Sequence, residues 1–496
     1  MSALPILIGL DIGTTSVKAV AYAPTRGQTI AVASRPTPIV HPRPGWSHFP
    51  PDQLWDAVVE SVRELVATLP DKTHVLAVGI ASVGEAGLPV DEQGHPLHPI
   101  IAWFDPRGEK YVQQWRRQFD VRWIYLTTGH TPRSLYTAFK ILWLWEHAPQ
   151  AMRRLHKWLF VGDYIAFRMT GAQATVPTLA ARSLLFDVVK RRWHPELVTA
   201  ARLRVEQLPQ AVETHTVVGQ VTAEVAAATG LPAGTPVALG GHDHVVGMFA
   251  AGLSEPGIVV DSTGTAQATA THIPEFIGER GYEVGFTCYP FVVGGGYILQ
   301  GGMPSAGSAL AWMADQFTEG DVEALLDLAA QSPIGSRGVG CIPFFRGSGP
   351  PHPRSDARAL FFHVGLEHGP ADLARALVEG LACFSANVIT LFAPLVPQPL
   401  REIRAIGGGN RHPLVLASKA GVTGLPVARV GIAEAVGTSA AALAGIACGY
   451  FADAEEARSS MRLQLQRVAP DPQWTRLRQR VLERYRTWAA FVVAHG

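Results

Sequence analysis

Two short segments of the chain each join an apolar run to a Gly-Thr turn, a pattern suited to holding phosphate. The first spans residues 6–15 and ends in Gly13-Thr14-Thr15, and the second spans residues 257–266 and contains Gly264-Thr265. A second β-prone run follows each turn, which predicts a strand, a tight turn and a strand. Glycine permits a positive φ in the turn, and threonine offers a hydroxyl and an N–H at its tip. The repeat indicates two related lobes that bind one polyphosphate, and hence a nucleotide-handling enzyme.

A carboxylate and a lysine accompany the first of these turns. Asp11 ends the apolar run just before the turn, and Lys18 lies on the run that follows it. Asp11 can bind Mg²⁺ directly or through water while the N–H groups of the turn face phosphates, and Lys18 can balance phosphate charge. An ordinary β-hairpin with an aspartate in a turn-favourable position is the alternative. The second Gly-Thr copy favours the functional interpretation.

Asp243 is the strongest catalytic candidate. It follows an apolar run and Gly240-Gly241, which permit close approach of a ligand, and it precedes a helix of small residues. In phosphoryl transfer to a hydroxyl, an aspartate in a cleft between lobes can position the acceptor and take its proton. The rival interpretation is a zinc site built on His242-Asp243-His244. Two histidines at i, i+2 without further ligands nearby make a poor metal site.

A glycine run in the second half of the chain suits a nucleoside. Gly407-Gly408-Gly409-Asn410 ends a predicted strand and opens a helix that runs to about Ala420. Three glycines remove side-chain bulk where a flat ring can lie on the backbone, and Asn410 can cap the helix. Glycine-rich strand exits are common in α/β proteins, so the segment is a weak signal by itself.

The groups suited to a polyol lie in the first quarter of the chain. Glu85 follows a buried-type strand, and Trp103, Asp105 and Arg107 come some twenty residues later. Carboxylates and an arginine above an aromatic platform suit hydroxyl groups, which need paired hydrogen-bonding partners. A surface ion pair is the simpler alternative.

Alternating strands and helices position these residues, which indicates an α/β fold. Glycine and proline cluster without apolar periodicity at residues 252–257, so a domain boundary is predicted near residue 250. The predicted ranges are a first domain at 1–250, a second at 251–450 and a helical tail at 451–496 that packs on the second. The predicted strands are 6–12, 16–23, 29–34, 75–81 and 236–241, and the predicted helices are 54–69, 136–147, 245–251 and one from Pro472.

Composition narrows the class of protein. Forty-two basic and 41 acidic residues leave a net charge of +1, which predicts neither nucleic acid nor a membrane as a partner. Four widely spaced cysteines without a CxxC motif argue against a disulfide framework. The best apolar stretch, residues 433–448, is interrupted by glycines, so we expect a cytoplasmic enzyme. No lysine follows a glycine, so a Walker A loop is missing and hairpins must bind the phosphate.

In order along the chain, these motifs resemble those of the FGGY carbohydrate kinases. The first phosphate motif is Gly9 to Lys18, and the catalytic Gly-Gly-x-Asp segment is Gly240 to Asp243. The second phosphate motif is Ser262-Thr263-Gly264-Thr265. The adenosine motif is Gly407 to Asn410, followed by residues 423–427. The likeness covers residues 6 to about 449, and the ordered set is far more specific than any single motif.

The resemblance implies a fold and a set of roles. The fold is α/β, with two ribonuclease-H-like domains of the actin, heat-shock chaperone and sugar kinase superfold around a deep cleft. The cofactors implied are ATP and Mg²⁺, with Asp243 as general base on the sugar hydroxyl and Asp11 and Asp243 bracketing the metal. The implied ATP-binding residues are Thr14, Thr15, Lys18, Gly264, Thr265, Gly408, Gly409 and Asn410, and the implied sugar-binding residues are Glu85, Trp103, Asp105, Arg107 and Asp243.

Several positions depart from the family's subgroups. Val83-Gly84-Glu85 stands where xylulokinases have Gln-Met-His, and Glu85 falls where glycerol kinases place an acidic glycerol ligand. Asp243-His244 replaces the Asp-Asn of xylulokinases, and Ser439 replaces the glycine of a Gly-Ala-Ala helix start. We therefore expect ATP-dependent phosphorylation of a small ketose, such as a pentulose or deoxyketose, or of a polyol. A non-catalytic ATP-binding regulator of the same superfold is the alternative, and the sequence leaves a homodimer open.

Overall fold

The computed structural model describes residues 4–70 and 74–495, which form two compact units. The first unit comprises Met1–Ala250, Tyr289–Tyr297 and Ile432–Arg462. The second comprises Ala251–Cys288, Ile298–Gly431 and Leu463–Gly496. Neither unit is contiguous in sequence, so the structure differs from the predicted division into 1–250, 251–450 and 451–496. Of the two later segments in the first unit, 432–462 contains the helix Ala435–Ala447, which packs on the strands Ile6–Ile12 and Val75–Ser82, and Tyr289 contacts His130 and Arg182.

Up to residue 250, strands and helices alternate as the sequence predicts. The strands are β1 (Ile6–Ile12), β2 (Ser16–Ala23), β3 (Gln28–Pro36), β4 (His48–Phe49), β5 (Val75–Ser82), β6 (Gly87–Val90), β7 (Ile100–Ile101), β8 (Lys157–Phe160), β9 (Ala174–Thr175), β10 (Phe186–Asp187), β11 (Arg192–Trp193), β12 (Gln210–Ala211), β13 (Val217–Gln220) and β14 (Pro236–His242). The helices are α1 (Pro51–Thr68), α2 (Glu109–Gln118), α3 (Val121–Thr128), α4 (Thr137–His147), α5 (Pro149–Arg153), α6 (Val161–Thr170), α7 (Pro177–Ala180), α8 (Pro195–Ala200), α9 (Ala223–Thr229) and α10 (Asp243–Ala250).

Beyond residue 250, longer helices accompany a second set of strands. The strands are β15 (Ile258–Thr263), β16 (Gln267–Ile273), β17 (Thr287–Pro290), β18 (Tyr297–Met303), β19 (Gly340–Ile342), β20 (Leu360–Phe362), β21 (Glu402–Ile406), β22 (Val427–Gly431) and β23 (Gln464–Val468). The helices are α11 (Glu279–Val284), α12 (Gly307–Phe317), α13 (Val322–Ala330), α14 (Pro370–Phe392), α15 (Pro413–Thr423), α16 (Ala435–Ala447), α17 (Ala454–Ser460) and α18 (Pro472–His495).

The first sheet has six strands in the order β13-β14-β5-β1-β2-β3. β1 pairs in parallel with β5 and antiparallel with β2, and β5 pairs in parallel with β14. The apolar run of β1 is almost wholly buried, as expected for a central strand covered on both faces. Because β1, β5 and β14 run in the same direction, the residues at their carboxyl ends lie at one edge of the sheet.

Helix α16 covers this sheet through an unusually close backbone contact. Gly9 of β1 and Gly79 of β5 are register partners, and each faces the backbone of α16. A Cβ on Gly9 would overlap the carbonyl oxygen of Gly437, and one on Gly79 would overlap that of Ala440. Only glycine permits this separation, so α16 belongs to the first unit although it lies near residue 440 in sequence.

The second sheet repeats the plan of the first. Its order is β17-β18-β16-β15-β21-β22-β23, and β15 pairs antiparallel with β16 and in parallel with β21. β22 continues the parallel pairing and β23 pairs antiparallel with it, as β14 and β13 do in the first sheet. The predicted α/β fold class with two sheet-containing domains is therefore confirmed.

Two helices of the second unit bear on earlier predictions. Helix α14, not the segment 433–448, comes nearest to a membrane span by length and composition, but 83% of its apolar window is buried inside the protein. A long core helix has the same composition. The C-terminal helix α18 lies on the second unit, where Trp474 fills the space beside Gly421 and the Trp488 ring stacks on Phe362.

Candidate functional site

The first Gly-Thr turn is held by hydrogen bonds from two directions. The Gly13 N–H donates to the Ser16 carbonyl at 3.0 Å, and the Thr37 hydroxyl donates to the Gly13 carbonyl at 2.7 Å. The Trp103 indole N–H donates to the Thr14 hydroxyl at 2.9 Å. Thr15 is exposed. Trp103, predicted as a sugar ligand, thus also fixes the hydroxyl of a predicted phosphate ligand.

Charged side chains converge beside this turn. Asp11 and Lys18 are register partners on β1 and β2, and Lys18 Nζ lies 2.6 Å from Glu434 Oε2. Burial raises the pKa of Asp11 to about 6, Lys18 lowers it and Glu434 raises it. Glu434 precedes α16 in a left-handed conformation, with φ 51°. Sequence reasoning missed Glu434 because 416 residues separate it from Lys18.

Asp243 is the first residue of α10, not a residue preceding the helix as the sequence suggested. The His244 N–H donates to its Oδ1 at 2.6 Å, and a quarter of its side chain is exposed. Burial and then the nearby Asp11 raise the pKa of Asp243 well above its ordinary value. A carboxylate that is costly to ionise and partly open to solvent is suited to accept a proton.

The two carboxylates fit a divalent cation. Asp11 and Asp243 are like charges close enough to interact, and a cation would relieve the repulsion between them. Mg²⁺ in nucleotide enzymes uses one or two carboxylates together with phosphate oxygens, so Asp11 and Asp243 match that donor set. Among residues 4–70 and 74–495, no group of three or more His, Cys, Asp or Glu could hold a metal by itself. The zinc alternative at His242-Asp243-His244 therefore lacks a ligand set.

Glu85 forms a buried ion pair that the sequence did not predict. Arg182 Nη2 donates to Glu85 Oε1, and the side chains are only 13% and 4% exposed. The Arg182 Cζ atom lies 5.2 Å from the ring centroid of Tyr136 and 5.4 Å from that of Tyr289. Burial opposes charge on Arg182, but Glu85 and then the tyrosines hold its pKa above the ordinary value.

Histidines surround this ion pair. The His130 ring lies 5.0 Å from those of both Tyr136 and Tyr289. Burial, with Arg182 as the next cause, lowers the pKa values of His130 and His242 well below the ordinary value and that of His244 to about 4. The three rings are therefore neutral at physiological pH, and each has a donor and an acceptor nitrogen.

Asp105 and Arg107, predicted as sugar ligands, contact each other. Arg107 Nε donates to Asp105 Oδ1 at 2.8 Å and Nη2 donates to Oδ2 at 2.6 Å. The Arg107 Cζ atom lies 4.1 Å from the Trp46 ring centroid and 4.7 Å from that of Trp143. Within the described ranges, no hydrogen bond joins this pair to Glu85. Arg107 Nη1 is buried without a hydrogen-bond partner among the described residues, and the sugar-binding role of the pair stays a prediction.

In the second unit, the predicted nucleotide-binding residues line one cavity. Its volume is about 730 Å³, within the range of ligand sites. Gly264 and Thr265 of the second turn line it together with Gly408 and Gly409. The start of α12 anchors the turn, because the Gly307 N–H donates to the Gly264 carbonyl at 2.9 Å. The structure thus brings four of the predicted ATP ligands together.

Asn410 lies beneath the glycine run. Its side chain is buried and donates to the Ile406 carbonyl at 2.7 Å, and Lys419 Nζ donates to its Oδ1 at 2.6 Å. The helix cap predicted for Asn410 is wrong, since His412 caps α15 by accepting from the Leu414 N–H. Asn410 is not among the residues that line the cavity, so its predicted contact with ATP stays a prediction.

A buried charge network fixes the two sides of this cavity. Lys419 donates to Asp261 and to the Thr263 hydroxyl, and Asp261 also accepts from Gln267 at 2.9 Å and Ser385 at 2.8 Å. Burial raises the pKa of Asp261, but Lys419 and the other donors hold it below the ordinary value. Sequence reasoning named neither Asp261 nor Lys419, because nothing local marks a pair separated by 158 residues.

Comparison with family models confirms the resemblance. Residues 6–250 match the N-terminal domain of the FGGY family of carbohydrate kinases, and residues 271–448 match its C-terminal domain.

The chain is also similar to individual kinases with different named substrates. It is 30% identical over 411 residues to a xylulose kinase of Escherichia coli (strain K12), covering 82% of each chain. It is 26% identical to a glycerol kinase of Janthinobacterium sp. (strain Marseille), over 97% of this chain and 99% of that one. The crystal structure of a gluconate kinase from Lactobacillus acidophilus superposes with a TM-score of 0.91 at 24% identity, over 99% of each chain.

Proposed function

This chain belongs to the FGGY family of carbohydrate kinases, and we propose that it transfers the γ-phosphoryl group of ATP to a primary hydroxyl of a small ketose or polyol. Pentuloses and deoxyketoses are the leading acceptors, with ATP and Mg²⁺ as cofactors and the cytoplasm as the compartment. The family membership supports ATP-dependent phosphorylation of a sugar or polyol. The observation that carries the assignment of the acceptor site is the Asp243 carboxylate, whose side chain is mostly buried and a quarter exposed.

Asp243 is the proposed general base. The acceptor O–H gives its proton to the Asp243 carboxylate as the oxygen forms a bond to the γ-phosphorus. The bond from that phosphorus to the β–γ bridging oxygen breaks, and ADP leaves with the electron pair. The elevated pKa of Asp243 matches a group that must hold a proton transiently near neutral pH.

The two hairpins supply the proposed phosphate contacts. Thr14, Thr15 and Lys18 bind phosphate oxygens from the first turn, while Gly264 and Thr265 contribute N–H and hydroxyl donors from the second. Asp11 and Asp243 would hold Mg²⁺, which neutralises phosphate charge when bound. Lys18 exchanges its Glu434 partner for phosphate in this scheme.

The nucleoside and the acceptor occupy different elements. We assign the adenosine to the cavity beside Gly408 and Gly409, with Asn410 as a support beneath it. We assign the acceptor to the surroundings of Glu85 and Trp103. Relatives named for xylulose and for glycerol are consistent with either a ketose or a polyol as acceptor.

Substitution of Asp243 tests the assignment. Asp243→Asn is expected to lower sugar-dependent ADP release by about 10²–10⁴-fold, because an amide cannot accept the proton. A coupled ADP assay across pentuloses, hexuloses, deoxyketoses and tetritols gives the readout, and calorimetry confirms that ATP still binds. Asp52→Asn, at a carboxylate that is 84% exposed, is the matched control with parental activity. Retention of most activity by Asp243→Asn would contradict its role.

The same assay distinguishes a kinase from the alternative, a non-catalytic ATP-binding regulator. A non-catalytic regulator would bind ATP and release no ADP with any sugar. Sugar-dependent ADP release by the parent protein rejects that alternative.

A further inference from the structure

We propose that the pocket around Glu85 selects uncharged ketoses or polyols and rejects sugar acids, because Glu85 consumes the positive charge that a substrate carboxylate would need. The name Glu85 pocket is used here for a cluster of mostly buried side chains in the first unit: Glu85, His130, Tyr136, Arg182, His242 and Tyr289. The inference rests on the proposed kinase function and names the class of acceptor for that site.

The charge of the Arg182 guanidinium is balanced by a protein carboxylate. Its Nη2 donates to Glu85, and the ring centroids of Tyr136 and Tyr289 lie 5.2 Å and 5.4 Å from its Cζ atom. An arginine attracts a substrate carboxylate strongly only where no protein carboxylate already balances its positive charge. Here a protein carboxylate already holds that guanidinium, so the pair contributes no net charge to the pocket.

Gly84 packs closely against both His242 and Arg182. A Cβ at position 84 would lie 3.0 Å from His242 Cδ2 and 3.3 Å from Arg182 Cγ, closer than ordinary side-chain contacts. The two departures from the subgroup patterns, at Val83-Gly84-Glu85 and at His242-Asp243-His244, therefore meet in space. Together they contribute to one cluster of side chains around Glu85 and Arg182.

The remaining polar atoms of the pocket suit hydroxyl groups. Arg182 Nε, His242 Nδ1, the Tyr289 hydroxyl and both ring nitrogens of His130 are buried without a hydrogen-bond partner among the described residues. Buried polar groups require partners, and a polyol supplies hydroxyls that both donate and accept. A sugar acid would add a negative charge beside Glu85, whose own charge already balances that of Arg182, and an unbalanced charge is costly in a buried site.

Matched acceptor pairs test the inference. Xylitol, ribitol and arabinitol are each compared with the aldonate of the same configuration, which has a carboxylate in place of one terminal hydroxymethyl group. Calorimetry measures binding and a coupled assay measures ADP release. For the parent protein, we expect aldonates to bind and react at least about 100-fold less well than their matched polyols, since an uncompensated buried charge is disfavoured.

Glu85→Gln keeps the size of the side chain and leaves the Arg182 charge unmatched. We expect the aldonate-to-polyol ratio of kcat/KM and of affinity to rise by about tenfold or more. Adding Arg182→Met to Glu85→Gln should remove that gain. Glu60→Gln, at an exposed partner of Arg35, makes the same chemical change outside the pocket and should leave the ratio at its parental value.

The outcomes separate the inference from the proposed function. Preference of the parent for an aldonate, or an unchanged ratio in Glu85→Gln, would overturn the inference while ADP release still supported the kinase. Binding of polyols over aldonates without ADP release would support the inference and overturn the proposed phosphoryl transfer. A thermal melt of each variant confirms that it is folded.

Discussion

Counted back from the glycine of its turn, the aspartate of the second hairpin lies one residue earlier than the aspartate of the first. Asp11 lies two residues before Gly13, whereas Asp261 lies three residues before Gly264, where Ser262 takes the place equivalent to Asp11. Successive side chains of a strand point to opposite faces, so this offset turns Asp261 into the core. Asp261 is fully buried and paired with Lys419, while Asp11 is partly open. Asp11 is therefore accessible to a metal ion, whereas Asp261 binds Lys419 and stabilises the elements around the cavity.

Asp11 is expected to destabilise the unliganded protein at neutral pH. Its pKa is raised from 3.8 to about 6, so the folded state binds more protons than the unfolded state between these values. The contribution of Asp11 to the free energy of unfolding therefore falls as the pH rises from about 4 to about 6. Above that window, the ionised Asp11 lowers the free energy of unfolding by about 3 kcal/mol. Asp11→Asn should raise the melting temperature at pH 7.5 in the absence of nucleotide and Mg²⁺. Thermal unfolding from pH 4 to pH 8 measures the effect.

The size of the pH dependence is the test for Asp11. Other groups, including the buried histidines and Asp243, titrate in both proteins, so the test is the difference between them: the free energy of unfolding of Asp11→Asn relative to the parent should rise between pH 4 and pH 6. Asp52→Asn, at an exposed carboxylate, should keep the parental profile. An identical profile for Asp11→Asn and the parent would contradict the prediction.

Individual site residues were predictable where a local pattern marks them. Asp11 and Asp243 each lie beside glycines at the end of an apolar run, and that context was enough to select them. Arg182, Glu434 and Lys419 contact their partners across 97, 416 and 158 residues, and no local signal distinguishes them from other charged residues. The roles assigned to the site residues stay predictions.

Among the elements, helix α16 sets the tightest packing constraint on the first sheet. It covers Gly9 and Gly79 on adjacent strands, and its own Gly437 meets Val20 of β2. The alanine-rich sequence that resembled a weak membrane segment is instead a helix selected for small side chains. Its first turn also follows Glu434, so the packing of α16 positions the partner of Lys18.

Gly79→Ala tests this packing. The new methyl group would overlap the Ala440 carbonyl, so α16 must shift, and we expect a loss of about 1–3 kcal/mol in the free energy of unfolding. Denaturant unfolding measures the loss. Gly302→Ala is the matched strand control, since its nearest neighbour would lie at an ordinary 3.6 Å, and it should change stability by less than about 0.5 kcal/mol. Equal midpoints for the two variants would contradict the prediction.

Strands and helices could be predicted from the sequence where the spacing of apolar residues matches the face that is buried. The predicted strands 6–12 and 16–23 match β1 and β2, and the helix predicted from Pro472 begins there as α18. Helix caps were harder to predict. Asn410 and His412 both precede α15, and the competing bonds of Asn410 with Lys419 and the Ile406 carbonyl decide which side chain caps it.

In the whole molecule, segments that are far apart along the chain belong to the same unit. The first unit needs residues 289–297 and 432–462 in addition to its first 250 residues. The chain passes from the first unit to the second between Ala250 and Ala251, beside the glycine-rich segment 252–257, and no sequence signal shows that it later returns. That return depends on contacts between distant segments, which periodicity does not report.

A fragment of residues 1–250 is expected to fold poorly. It lacks α16, so the face of β1 and β5 that contains Gly9 and Gly79 stays uncovered. Fusing residues 432–462 to it through a flexible Gly/Ser linker should restore cooperative thermal unfolding, measured by circular dichroism. The helix 370–392 from the second unit, fused in the same way, is the control and should not. Cooperative unfolding of 1–250 alone at the same midpoint would contradict the prediction.

The late position of α16 also has a consequence for biosynthesis. A ribosome adds about 5–20 residues per second, so roughly 10–40 s pass between the appearance of Ala250 and that of Arg462. Throughout that interval the nascent first sheet has no helix over its glycine-lined face, and its apolar strands are open to other chains. We therefore expect newly made chains to engage cellular chaperones until translation is nearly finished, and codon changes that slow the second half of the message to increase aggregation.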